Sequence, residues 1–328
     1  MSDKAVAILE PGYADYRIER AALEPVGVRI ERIAEDEDAV AALSRIDPIA
    51  VFVRERLIRS VELSACPRLR LVVRYGVGVD NIDLDAARDR RIYVANLPEY
   101  GAETEVSEHA IALYLAVQRR VVARNDEVRQ GGWSIGQRAP IQGRENAVLG
   151  LIGCGRIGLE TARKFRALGF GRVLVHDPHV GNDVLEEHGF ERADLDALFT
   201  GADVVSLHAP LTDETRHCVN ADRLARMKPT GIVINVARGG LIDEMALADA
   251  LQDGRLYGAG LDVFEHEPPD RDHPLFSAPN TVVSDHTAWY SERTVEHLQR
   301  QAAAEVLRVL QGHAPTSWVN PWGKETET

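Results

Sequence analysis

The sequence predicts an α/β protein with parallel sheets in two domains, and three observations carry that expectation. At 328 residues the chain is longer than one ordinary core. Short apolar, β-rich runs alternate with helix-compatible stretches through its first third. A second series of the same kind opens on a glycine-bearing turn, "AVLGLIGCGRIG". Such alternation is the pattern of a parallel sheet covered by helices.

Taken in order, "KAVAIL", "VRIERI", "AVFV" and "LRLVVRYG" read as buried strands, separated by polar segments such as "DYRIERAALEPVG". The pattern changes around Asn96-Leu97-Pro98. From there Val106, Ala110, Leu113, Val117 and Val121 follow helical spacing, and they predict one helix of roughly four or five turns. We read it as the first crossing between domains, leading into the loop "RQGGWSIG". Val148 to Ile152 is the next strand, and Gly153, Gly155 and Gly158 form G-x-G-x-x-G before the helical run "LETARKFRALGF". The first glycine permits a tight turn, the second lets a pyrophosphate approach the backbone, and the third allows close helix–strand packing. The helix N-terminus then offers amides and a positive dipole end to phosphates. Asp177 closes the following strand "RVLVHDP", where a carboxylate accepts from adenosine ribose hydroxyls and repels a 2′-phosphate. This context predicts a dinucleotide site that prefers NAD to NADP. Cys154, inside the loop, reads as a small residue that fits.

Composition narrows the class. Hydrophobic residues make up 45% and charged residues 27%, as in a globular protein with a sizeable interior. No apolar run approaches the length of a membrane span, and no signal peptide precedes the first strand. Cys66, Cys154 and Cys218 are odd in number and lack C-x-x-C spacing, against a disulfide framework or a zinc site. A net charge of −13 disfavours nucleic acid as a partner. A cytoplasmic enzyme or binding protein without metal is expected.

The strands in "ADVVSLHAPLT", "GIVINVARGGLID" and "GAGLDVFEHEPP" present His208, Arg238 and Asp262 at their C-terminal ends, where open α/β sheets bind ligands. Asp243 reads as the N-cap of a helix carrying Leu247 and Leu251 and stopped by Gly254. Glu267 follows in "EHEPP", and His286 follows the strand in "TVVSDH". Hydride exchange between a nicotinamide and a 2-keto acid needs a cation for the carboxylate and a proton donor for the carbonyl oxygen. Arg238 supplies a planar fork of donors, and His286 a group that exchanges protons near neutral pH. A carboxylate at Glu267 would orient the imidazole and favour its protonated form. Asp262 would accept from the nicotinamide carboxamide. Each residue alone also fits a structural ion pair or a satisfied loop histidine; their succession beyond a nucleotide loop favours chemistry.

Together "GCGRIG", "HDP", "SLHAPLTDET", "INVARGGLID", "GLDVFEHEP", "DHTAW" and "RYGVGVDNID" resemble the D-isomer-specific 2-hydroxyacid dehydrogenase family over nearly the whole chain. The resemblance implies two Rossmann-like domains, with an NAD-binding domain (100–289) inserted into a discontinuous, flavodoxin-like substrate domain (1–99 and 290–328). It implies a catalytic set of Arg238, Glu267 and His286. Cofactor contacts are implied for Gly153, Gly155, Arg156, Ile157, Gly158, Asp177, His208, Ala209, Pro210, Thr215, Val236, Ala237 and Asp262. The amides of Val77 and Gly78 would hold the substrate carboxylate, and a homodimer is usual. Within the family, "HTAWYSE" and "ARGGLIDEMALADAL" look most like the C-terminal-binding-protein branch and its bacterial relatives. That likeness adds Trp289 and Arg74 as substrate-facing residues. Asp285 departs from the proline usual before the histidine, and its side chain is expected to face solvent.

Arg54 and Arg56 end the strand in "VFVRERL", and Arg74 ends its neighbour. Arg54 and Arg74 together would suit a substrate with a second anionic group. The leading expectation is therefore an NAD-dependent 2-keto acid reductase. The alternative is an NAD(H)-sensing scaffold of the C-terminal-binding-protein kind, with weak or vestigial dehydrogenase activity.

Overall fold

A computed structural model of the protein describes residues 4–9, 12–133 and 140–322. The chain divides into two compact units, Met1–Gly101 with Ser291–Thr328, and Ala102–Tyr290. The first begins with β1 (Lys4–Ile8), α1 (Arg17–Leu23), β2 (Val28–Arg32), α2 (Ala39–Ile46) and β3 (Ala50–Val53). It continues through α3 (Ser60–Ser64), β4 (Leu71–Arg74), α4 (Leu84–Asp89) and β5 (Tyr93–Ala95). The five strands are all parallel, in the order β2-β1-β3-β4-β5. This is the flavodoxin-like order. β3 and β4 are buried at every position, which is why β3 reads as an unbroken apolar run and β4 as one until Arg74.

The second unit opens with α5 (Glu103–Gln118) and α6 (Val121–Arg129). Next come β6 (Val148–Ile152), α7 (Arg156–Ala167), β7 (Arg172–His176), α8 (Asn182–His188), β8 (Glu191–Arg192) and α9 (Leu195–Gly201). The remainder is β9 (Val204–Leu207), α10 (Ala221–Leu224), β10 (Ile232–Asn235), α11 (Glu244–Gln252), β11 (Gly258–Leu261), α12 (Pro274–Ser277) and β12 (Thr281–Val283). Its seven parallel strands run β12-β11-β10-β9-β6-β7-β8. Strand order reverses between β6 and β9, and the crevice beyond their carboxyl ends is where such sheets take ligands. The chain then returns to the first unit as α13 (Glu292–Leu310). Among the described residues, no helix is long and apolar enough to cross a membrane.

One expectation is corrected. The apolar series ending in Val121 is not a single helix: α5 stops at Gln118, Arg120 takes a left-handed backbone (φ 53), and Val121 starts α6, 54% exposed. Side chains from elsewhere in the unit take over the last carbonyls of α5. Asn280 Nδ2 donates to the Val117 carbonyl (3.3 Å) and the Tyr257 hydroxyl to that of Gln118 (3.2 Å). Gln118 itself is buried, donating to the Gln142 carbonyl and accepting from Arg144 Nε. Tertiary partners thus cap a helix that its periodicity alone would extend. Part of the "RQGGWSIG" loop, residues 134–136, lies outside the described residues. As expected, Asp243 caps α11 by accepting from the Ala246 amide, and Gly254 follows its end in a left-handed conformation.

Helix α5 lies directly on the sheet because β11 carries small residues. A Cβ on Gly260 would stand 2.8 Å from Leu113 Cβ and 2.9 Å from Ile234 Cδ1. Gly260→Val should therefore destabilise the protein by about 1–3 kcal/mol through overpacking, read as a lower urea midpoint. An unchanged midpoint would contradict this packing.

Candidate active site

The glycine loop follows β6. Gly153 has a left-handed backbone (φ 88), and a Cβ there would lie 2.6 Å from the Ala209 amide nitrogen. A Cβ on Gly158 would collide with the Gly153 carbonyl oxygen. Gly155 differs: nothing stands within 4 Å of where its Cβ would be, and it caps α7 without a side chain. The middle glycine thus opens space over the first-turn amides of α7, beginning at Arg156, Ile157 and Gly158. This opening fits a pyrophosphate. The Arg156 side chain turns to Glu103 (2.7 Å). Asp177 stands one residue past β7 and ties the strand end to the loop, accepting from the Cys154 amide (2.7 Å) and from the His179 and Val180 amides. Burial, with the nearby Asp177 charge, pushes the Cys154 thiol up to about 11, so it is no thiolate at neutral pH.

His208 follows β9, and its Nε2 lies 2.9 Å from Ser206 Oγ. Part of the residue stays accessible, but the ring is set into the sheet end, where burial pushes its pKa down to about 3. It is neutral at physiological pH. Ala209 is buried and Pro210 exposed. The Thr215 hydroxyl donates to the Pro210 carbonyl (2.7 Å) and closes that loop. Val236 is buried and Ala237 half-buried beyond β10. They are held by Asn235, a fully buried residue whose role the sequence does not signal. Its Oδ1 accepts from the Ala237 amide and its Nδ2 donates to the Arg238 carbonyl.

Three charged groups converge here. His286 Nδ1 lies 2.6 Å from Glu267 Oε2, while Glu267 Oε1 accepts from the Phe264 amide (2.9 Å). Burial pushes the Glu267 carboxyl up, but the His286 hydrogen bond and charge, the Phe264 amide and the Arg238 charge outweigh it. The net effect holds Glu267 below the usual carboxylate range, so it accepts and Nδ1 donates. Arg238 reaches this group because its neighbour is Gly239: any Cβ there would collide with the Phe264 carbonyl and the Glu265 amide. The Arg238 loop and the Glu267 loop therefore touch backbone to backbone.

His286 has a left-handed backbone (φ 57), uncommon for a residue with a side chain. Asp262, buried at the end of β11, holds it so. The Asp262 carbonyl accepts from the His286 amide (2.7 Å), Oδ1 accepts from the Ser284 hydroxyl (2.6 Å) and the Thr287 amide (3.0 Å), and Oδ2 from the Ala288 amide (2.9 Å). The carboxamide acceptor expected at Asp262 is thus a buried carboxylate bonded by its own chain. His109 on α5 joins this group through Ser284 (2.8 Å). Asp285 is exposed, as expected, and accepts from the Thr287 hydroxyl. Trp289 is half-buried, its ring edge-on to Tyr290.

The first unit carries the other candidates. Arg74 is buried, donating to Glu55 (2.9 Å) and to the Tyr75 carbonyl (3.0 Å). Arg54 is half-buried, its guanidinium beside Gly12, and both arginines act electrostatically on the buried Tyr13. Arg56 turns away to the carbonyls of Leu9, Ala34 and Glu37. Val77 is exposed, with its carbonyl bonded to Asn96, and Gly78 is half-buried.

The strand order and the glycine loop of the second unit are those of a dinucleotide-binding domain. The family model "D-isomer specific 2-hydroxyacid dehydrogenase, NAD binding domain" matches residues 111–288. A glyoxylate reductase of Korarchaeum cryptofilum is 40% identical over 300 residues, 89% of this chain and 85% of that one. The chain belongs to the D-isomer specific 2-hydroxyacid dehydrogenase family. Among solved structures it is similar to a D-lactate dehydrogenase from Aquifex aeolicus complexed with NAD and lactic acid, with TM-score 0.85 and 29% identity over 98% of this chain and 100% of that one. It is also similar to an NADPH-dependent glyoxylate/hydroxypyruvate reductase from Sinorhizobium meliloti in complex with NADP and malonate, with TM-score 0.81 and 30% identity over 99% of this chain and 100% of that one. The chain spans only 56% and 53% of two archaeal D-3-phosphoglycerate dehydrogenases that it also matches.

Because Glu267 is lowered in the folded state, its pairing with His286 stabilises fully above the ordinary carboxylate range. That contribution is lost as pH falls through the lowered value. Glu267→Gln should destabilise the protein at neutral pH and cost progressively less towards acid, measured as urea midpoints across pH. A pH-independent difference would contradict the pairing.

Proposed function

We propose that the protein is an NAD-dependent D-2-hydroxyacid dehydrogenase that acts as a 2-keto acid reductase. The observation that carries this reading is the 2.6 Å His286–Glu267 contact, with the Arg238 charge acting on the same carboxylate, beyond a glycine loop open over α7. A nicotinamide dinucleotide, when bound, supplies the hydride. Arg238 binds the substrate carboxylate and polarises the keto oxygen. With Nδ1 committed to Glu267, His286 uses Nε2 to give a proton to that oxygen, and takes it back in the reverse direction. Fixed orientation by the carboxylate keeps the imidazole aligned for that transfer.

Cofactor choice rests on Asp177, whose carboxylate stands one residue past β7 and would repel a 2′-phosphate. For the substrate, the reading assigns the amides of Val77 and Gly78 to the carboxylate, with Arg54 and Arg74 suited to a second anionic group. Trp289 forms a pocket wall. A homodimer is supported by α6, none of whose residues is buried among the described residues and which leaves Val121, Val122 and Val128 exposed. A surface of that kind suits a subunit contact.

The test follows NADH absorbance with glyoxylate, pyruvate, hydroxypyruvate and a dicarboxylic 2-keto acid. Turnover is expected, fastest with the dianion if Arg54 and Arg74 read a second charge, and faster with NADH than NADPH. His286→Asn should lose at least about 100-fold in kcat, as removal of a general acid does, while keeping NADH affinity. NADH binding without turnover of any of these acids would sink the reading.

A further inference from the structure

The Glu267 loop is held at both ends by a residue outside the reacting group. Glu244, the first residue of α11, accepts from the Glu265 amide through Oε1 (2.7 Å). Its Oε2 lies 3.0 Å from His273 Nε2. His273 Nδ1 accepts from the Leu275 amide, which leaves the Nε2 proton to be donated to Glu244. One carboxylate therefore grips the loop just before Glu267 and again six residues after it. Both Glu244 and His273 are largely buried, with side chains 13% and 15% exposed. The His273 ring stands edge-on to Phe264 (5.5 Å), whose amide is the one bonded to Glu267. The Glu265 side chain is fixed separately, by Arg216 (2.6 Å) and His217 (3.1 Å).

We infer that Glu244 is a positioning residue that sets the Glu267 carboxylate against His286. The inference rests on reading Glu267 and His286 as the proton-transfer pair. Without the Glu244 carboxylate, a half-buried amide and a half-buried imidazole N–H lose their acceptor, and the loop between them is free to shift. A displacement of about 1 Å in a reacting group costs up to about 100-fold in rate. The helix also favours a carboxylate here, since Glu244 sits in the first turn of α11.

Five proteins separate the possibilities: the parent, Glu244→Ala, Glu244→Gln, Glu267→Gln, and the Glu244→Ala/Glu267→Gln double variant. Glu244→Ala should lower kcat about 10- to 100-fold with NADH affinity changed less than about twofold. Glu244→Gln, which keeps an acceptor for the Glu265 amide, should recover most of the loss. In the Glu267→Gln background Glu244→Ala should have no further effect, because it acts only through Glu267. A loss of equal size in both backgrounds, or none in either, overturns the inference. A readout independent of turnover is the downfield proton resonance of His286 Nδ1–H bonded to Glu267. It should be present in the parent and shifted or lost in Glu244→Ala. An unchanged resonance overturns the inference whatever the activity, whereas a shifted resonance in a protein that reduces no keto acid supports it and refutes the reductase reading alone.

Discussion

The site depends on one buried carboxylate. Asp262 lies at the end of β11 with its side chain sealed from solvent, and it takes hydrogen bonds from Ser284, Thr287 and Ala288, while its carbonyl takes the His286 amide. A buried carboxyl group is tolerated only when its oxygens are satisfied, and here the hydrogen-bond donors come from the loop after β12. That constraint has a consequence for His286. A left-handed backbone at a histidine costs energy, and it persists because the neighbouring amides are already committed to Asp262. The imidazole is therefore presented by a loop whose backbone is bonded to Asp262 on both sides of it.

The same principle recurs on the facing side. Gly239 permits the loop after β10 to touch the loop after β11, so that the Arg238 charge acts on Glu267. Asn235 fixes the Arg238 backbone from below, as Asp262 fixes that of His286. Each charged side chain in the group is thus carried by backbone that is bonded before any ligand arrives. Preorganisation of this kind is what lets a few charges act strongly at a sheet end, because little reorganisation is left for the reaction.

Much of the fold is legible in the sequence because it rests on periodicity and composition. Buried parallel strands such as β3 and β6 announce themselves as unbroken apolar runs, and the glycine loop by its spacing between strand and helix. The break after Gln118 is not legible, because its cause is tertiary: Asn280 and Tyr257, more than a hundred residues further on, take the last carbonyls of α5. The site divides in the same way. Arg238, Glu267 and His286 stand out by residue type at strand ends. Of the residues that hold them, Asn235 and Ser284 look like ordinary polar residues until their partners are known, and Asp262 stands out at a strand end without any sign of its hold on the His286 loop. The backbone contact at Gly239 lies hidden within "ARGG", where the letters give no hint of which loop lies opposite.

The central claim is that Arg238 and His286 address the same bound 2-keto acid. A crystal structure with NADH and oxamate, an unreactive 2-keto acid analogue, tests it most directly. The account predicts the oxamate carboxylate on the Arg238 guanidinium and its amide carbonyl oxygen within hydrogen-bond distance of His286 Nε2, with Nδ1 still on Glu267. Oxamate bound away from Arg238, or an imidazole turned off Glu267 in the complex, would contradict it.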